Sequence, residues 1–169
     1  MNEQGKIEST IELPYQLIEM NNGSEQFILQ FNAFDNLTED YIKWNGVTGK
    51  FSVIYRSPGM KCHFGCDVTV GNVYDFYIAL DTAYDLLGNG AVAVLKNYGD
   101  VLNRTNLTIQ FNHKGHCSVE GYFKNKGTQY RSGISFSFEL DQTYITEILI
   151  SMEKFFEELG RIQGNRNFY

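Results

Sequence analysis

The sequence predicts an α+β domain: an antiparallel sheet carrying two amphipathic helices on its apolar face. Three observations lead there. Several segments alternate apolar and polar residues with period two, the mark of a half-buried strand. Two segments instead repeat apolar residues every three or four positions, as a helix with one apolar stripe does. The strands are apolar on one side only, which suits an antiparallel sheet with one wet face. Helix stripes must be buried somewhere, and the apolar face of the sheet is the available place. About six to seven strands are expected, in a sheet that is open or curves towards a partial barrel.

Along the chain, Met1 to Glu25 is the least defined part. Ile7, Ile11 and Leu13 are expected to form a strand before Pro14, or a loosely docked arm. Residues 26–160 form the single domain, and 161–169 a polar tail. Phe27, Leu29 and Phe31 share one strand face. The polar stretch from Asn32 to Lys50 contains Trp44. Phe51, Val53 and Tyr55 open the next strand, and Ser57-Pro58-Gly59 turns the chain. Met60, Cys62, Phe64, Cys66, Val68 and Val70 then line one face of a long strand, with Lys61, His63, Asp67 and Thr69 opposite.

The period switches at Val73. Phe76, Tyr77, Leu80, Tyr84 and Leu87 continue a helical stripe that Gly88 should end. Ala91 to Leu95 reads as a short strand. Leu107 to Phe111 and Cys117 to Phe123 alternate around a turn at Asn112 to Gly115, a hairpin pattern. Ile134, Phe136, Phe138 and Leu140 form the last strand. Asp141 is placed to cap the second helix, whose stripe is Ile145, Ile148, Leu149, Met152, Phe156 and Leu159. Gly160 is expected to stop it. No internal repeat is visible in the sequence.

Composition bounds the function. The 169 residues suit one domain with a proper core, and 13 Phe and 11 Tyr against 2 Pro argue against a disordered chain. The formal net charge is −6. That opposes binding to nucleic-acid phosphates and suits a basic partner, although many proteins carry such a charge for solubility alone. No basic start followed by an apolar run marks an export signal, and no stretch has the length of a membrane helix. Three Cys do not make a disulfide framework. A reducing cytoplasm is the expected compartment, and the four Asn-x-Ser/Thr sequons are read as chance.

Candidate chemistry is sparse. Cys62-His63-x-x-Cys66 and His113-x-x-His116-Cys117 have spacings that zinc can use. Strand parity opposes the site, because the three Cys fall on apolar faces while His63 points away. A Cys–His nucleophile would need an exposed, electropositive thiol. Asp81 and Asp85 lie one helical turn apart opposite the apolar stripe, and so read as a solvated face, as do Glu147, Glu153, Glu157 and Glu158. No catalytic motif and no cofactor loop is present, so neither cofactor nor metal is expected. The polar face of the sheet is the better candidate for function. Glu120, Tyr122, Tyr130, Arg131 and Glu139 lie on or beside it. Tyr41 and Trp44 add aromatics in a loop, and Tyr, Trp and Arg are the residue types that anchor protein interfaces.

Gly115-His116 leads into Ser118-Val119-Glu120-Gly121-Tyr122-Phe123, and Ile134 to Leu140 runs straight into Asp141-Gln142-Thr143-Tyr144-Ile145 and a long helix. This order resembles the WapI-like family of bacterial immunity proteins, which protect cells from polymorphic toxins. The shared element order covers Phe27 to Gly160, and its specific part is Gly115 to Ile145. Cys117 replaces the usual aliphatic residue after Gly-His. The resemblance implies activity by binding: docking on a cognate toxin domain, often a basic nuclease, and occluding its active site. A monomer or weak homodimer is expected, with no nucleic-acid or membrane partner. The competing readings are a small molecule held between sheet and helices beside Tyr74, Tyr77 or Tyr84, an enzyme with an unrecognised site, and an architectural subunit.

Overall fold

The computed structural model describes residues 11–34, 49–86, 90–97, 105–127 and 132–164, with side chains as far as Arg161. Two four-stranded antiparallel meanders are each followed by a helix. The first comprises β1 (Tyr15–Asn21), β2 (Gln26–Phe34), β3 (Gly49–Ser57) and β4 (Met60–Cys66), then α1 (Val70–Asp85). The second comprises β5 (Val92–Lys96), β6 (Asn106–Phe111), β7 (His116–Lys124) and β8 (Gly133–Asp141), then α2 (Thr143–Gly164). The α+β class and the antiparallel pairing are as the sequence predicts. Among the described residues the strands number eight and divide between two sheets, and neither sheet closes into a barrel. The element order therefore repeats even though the sequence does not.

The apolar faces of the sheets bury each other. Phe27 of β2 lies 5.1 Å from Phe123 of β7 and 4.8 Å from Phe136 of β8, measured between ring centres. Tyr55 of β3 stacks on Phe136 at 5.2 Å. The helices complete the core beyond these contacts. Phe155 of α2 packs against Phe31 and Tyr15, and Tyr84 of α1 against Phe111. The helices also lie along sheet edges, α1 chiefly on β5 and α2 on β1. The Ser151 hydroxyl donates to the Gln16 carbonyl at 2.6 Å and ties α2 to the β1 edge.

Three local expectations shift. Among the described residues the first strand begins after Pro14 rather than before it, with Ile11 buried ahead of it, while Ile7 lies outside the described residues. The strand expected to run from Met60 to Val70 ends at Cys66. Val68 and Val70 are buried all the same, so apolar alternation outlasts the strand. The missed signal was Thr69-x-x-Asn72, a reciprocal cap: the Thr69 hydroxyl accepts from the Asn72 amide and the Asn72 side chain accepts from the Thr69 amide, both at 3.1 Å. The stop expected at Gly88 lies outside the described residues. Gly160 does not end α2, which continues to Gly164. One exposed Gly costs a helix about 1 kcal/mol, too little to break a helix already docked along its stripe.

The Gly-His and Asp-Gln-Thr segments, far apart in sequence, meet in space. Gly115 turns the β6–β7 hairpin with φ +78°, a left-handed conformation that favours Gly. Its carbonyl accepts from the Gln142 amide at 3.2 Å. His116 pairs with Asp141 across β7 and β8. The Asp141 carboxylate accepts from the Thr143 amide at 2.8 Å at the start of α2. That bond, with help from the Thr143 hydroxyl, holds the Asp141 carboxyl below its usual pKa. A carboxyl with a lowered folded pKa stabilises above the unfolded value near 3.8 and ceases to as pH falls through the folded value. Asp141→Ala should therefore melt below wild type at pH 7, with the gap closing as the pH drops below about 4. Equal melting temperatures at pH 7 would remove Asp141 from the helix start.

Candidate partner-binding surface

Strand parity decides which side chains leave the core. On β8 the pattern is strict: Ile134, Phe136, Phe138 and Leu140 are buried, while Ser135, Ser137, Glu139 and Asp141 are exposed. On β7, Cys117, Val119 and Phe123 point inward, and Glu120 points outward with half-buried Tyr122 beside it. Register brings these residues together. Glu120 lies opposite Ser137, Tyr122 opposite Ser135 and Ser118 opposite Glu139, while Asn106 of β6 faces Tyr122 from the other side. An open depression of about 440 Å³ is lined by Asn106, Glu120, Tyr122, Ser135 and Ser137, with Gly121 and Phe136 also contributing. Of the residues predicted for an interface, Glu120, Tyr122 and Glu139 thus share one outward face. Tyr41, Trp44, Tyr130 and Arg131 lie outside the described residues.

Charge is distributed unevenly. The exposed acids of the helices are Asp75, Asp81 and Asp85 on α1 and Glu147, Glu153 and Glu157 on α2, against exposed Lys154. Glu158 is buried and paired with Arg161, its carboxylate accepting at 2.6 Å. The Tyr77 hydroxyl titrates above its usual value, first because it is partly buried and then because Glu153 and Asp81 are near. On the outward face of the second sheet the signs are mixed, with Glu120, Glu139 and Asp141 against Lys96 and Lys124.

The cysteines are poor nucleophiles. Burial pushes the Cys66 and Cys117 thiols up to about 12 and raises Cys62 as well. At neutral pH almost none of the reactive thiolate exists. His63 lies on the opposite face of β4 from Cys62 and Cys66, as parity predicts. Among the described residues no three His, Cys, Asp or Glu side chains converge as a metal site would require.

His63 belongs instead to a polar chain that the sequence reading missed. Its Nε2 lies 3.3 Å from the Ser52 hydroxyl, which is 3.4 Å from the side-chain Oδ1 of Asn32, and the Gln30 side chain donates to that same oxygen at 2.9 Å. These residues come together because Gln30 pairs with Ser52 and His63 stands one strand further on. A Ser beside a His invites a catalytic reading, but Ser52 is only 4 % exposed. The chain runs from buried Gln30 and Ser52 to exposed His63, and its members satisfy one another's hydrogen bonds. Tyr74 and Tyr77, proposed as walls of a ligand cavity, pack on Phe156 at 5.0 and 5.7 Å. Tyr84 packs on Phe111 and shares a 3.0 Å hydrogen bond with Thr146. All three rings are half-buried and pack against the core on one side.

The molecule is an α+β domain of two four-stranded antiparallel meanders, each closed by a helix, presenting a polar sheet face and an acidic helical flank. By its sequence the chain belongs to the WapI-like immunity protein family, whose model matches residues 16–160. Comparison with curated proteins finds no match. Among solved structures, the chain is similar in fold to the plant transcriptional regulator PBF-2, with a TM-score of 0.52, at 10 % identity over 95 % of this chain and 90 % of that one. At that identity the likeness concerns the fold alone. Family membership makes this chain a toxin-neutralising immunity protein in outline. No helix among the described residues is long and apolar enough to cross a membrane.

Proposed function

We propose that the protein binds a cognate toxin domain in the cytoplasm and blocks its active site, without catalysis of its own. Family membership over residues 16–160 carries this reading. The outward face of β6, β7 and β8 is the proposed contact, with Glu120, Tyr122 and Glu139 as its anchors. Tyr122 offers a ring that is apolar on its faces and polar at its tip, the combination that interface centres favour. Tyr41, Trp44, Tyr130 and Arg131 remain proposed contributors. A basic nuclease is the proposed toxin class. A chain with net charge −6 would be drawn to it and would compete with its nucleic-acid substrate.

The test is growth rescue. The protein is co-expressed with the C-terminal domain of any large secreted toxin encoded just upstream of it. Expected are rescue of growth, a complex that co-elutes on sizing, and loss of both in Glu120→Lys and Tyr122→Ala while the fold is retained. Truncating a central interface anchor typically weakens binding by 2 kcal/mol or more, about thirtyfold. Raising the salt should weaken the complex. Failure of rescue by well-folded protein would end the immunity reading for that partner. Indifference to salt would end the electrostatic part.

A further inference from the structure

Each sheet has two edges, and an unpaired edge strand is a template for another strand. Here the four edges differ. The β1 edge is tied to α2 through Ser151, and the β5 edge is covered by α1. The β4 edge is met at Gly65, whose carbonyl accepts from the Lys126 amide at 2.8 Å, and Lys61 adds a charge along it. The β8 edge has β7 on one side and, among the described residues, no strand on the other.

The hydrogen-bonding parity of β8 can be read from its two ends. The Gln142 amide donates to the Gly115 carbonyl, and the Asn125 amide donates to the Ser132 carbonyl. Both pairs continue the β7–β8 register, which runs without a bulge from His116 opposite Asp141 to Lys124 opposite Gly133. In an antiparallel ladder, residues bonded to a given neighbour alternate. The even-numbered residues of β8 therefore bond to β7. Gly133, Ser135, Ser137 and Glu139 direct their amides and carbonyls away from it. These are also the residues whose side chains point outward. The strand carries no Pro, no Lys and no bulge, and its outward charges are the carboxylates of Glu139 and Asp141.

We infer that β8 receives an extended segment of the toxin, which adds to the second sheet as a ninth strand of the domain. The inference rests on the immunity reading and deepens it by naming how the partner is held. Main-chain bonds to Ser135, Ser137 and Glu139 would supply affinity, and alternate side chains specificity. The side chains already present describe the incoming strand. On its inner side it meets Ile134, Phe136 and Phe138, which retain 8, 7 and 6 % exposure, so those positions should be apolar. On its outer side it meets Glu139, with Glu120 and the Tyr122 depression one strand further in, so those positions should carry Lys or Arg.

The test uses the full chain and a toxin domain against which it rescues growth, following amide hydrogen exchange on β8 and the affinity of Ser137→Pro. Pro at 137 removes an outward-directed amide and spares the β7 ladder, so the fold should survive, as it does for Pro on edge strands generally. Expected are rapid exchange at Ser135, Ser137 and Glu139 in the free chain, slow exchange in the complex, and affinity lowered about tenfold or more by Ser137→Pro. Glu139→Lys serves as a second variant that leaves the backbone unchanged, and should weaken binding with a smaller salt dependence. If wild type binds while these amides still exchange rapidly and Ser137→Pro binds normally, the strand-addition inference is wrong and the immunity reading stands. If the chain alone self-associates and already protects these amides, the occupant is a second copy and the inference is again overturned. If wild type does not bind the toxin domain, both readings fall together.

Discussion

Phe27→Ala should lower the stability of the domain by about 3–5 kcal/mol, the usual cost of removing a buried Phe ring. Phe27 is fully buried at the point where the two sheets meet. On its own sheet it stands between Met20 of β1 and Tyr55 of β3. Across the interface its ring touches those of Phe123 and Phe136. Strands in register cannot drift inward to fill a gap without breaking their ladders, so the cavity should remain largely open. Domains of this size are commonly stable by about 5–15 kcal/mol, so one substitution removes a large share. Urea unfolding should show a lower midpoint with an unchanged slope. A loss under 1 kcal/mol would mean that the sheets do not rely on this contact. Phe34, only partly buried at the end of β2, gives the comparison: its truncation should cost clearly less.

The unequal legibility of the sequence follows from what each signal encodes. Period two and period three to four report the local conformation and which face is buried. Phe27, Leu29 and Phe31 were readable as one inward face, and so was the stripe from Val73 to Leu80. Neither period says which apolar face meets which. The division of eight strands into two opposed sheets therefore stayed hidden, because Phe27 against Phe136 is a contact between distant segments. The same holds for the candidate surface. Parity alone put Glu120, Tyr122 and Glu139 on one wet face. The Ser52–His63 contact depends on the registers of β2, β3 and β4, and the place of β8 at the end of its sheet, among the described residues, depends on strand order. Periodicity supplies neither.

Gly121 joins the fold to the proposed surface, and its substitution should have the second largest effect. It lies in β7 between Glu120 and Tyr122, opposite Phe136. An isolated Gly inside a strand often marks a close approach. A Cβ at this position would stand 2.2 Å from Cζ of Phe136 and 2.7 and 2.8 Å from its Cε atoms. The ring has little room to retreat. Phe27 lies 4.8 Å away, Tyr55 stacks at 5.2 Å and Phe138 at 5.8 Å. Gly121→Ala should therefore cost stability at the upper end of the 1–3 kcal/mol typical of overpacking. Because Phe136 and Gly121 both border the depression, a displaced ring should also weaken toxin binding in the molecules that still fold. Phe136→Leu, destabilising alone, should suppress part of the Gly121→Ala defect, since the smaller side chain vacates the space that the new methyl needs. Contacting residues commonly show such couplings at about 0.5–3 kcal/mol. Strictly additive losses in the double variant would mean that the ring and the glycine do not constrain each other. A coupled result would show that the strand keeps Gly at 121 so that one aromatic ring can both seal the core and border the face offered to a partner.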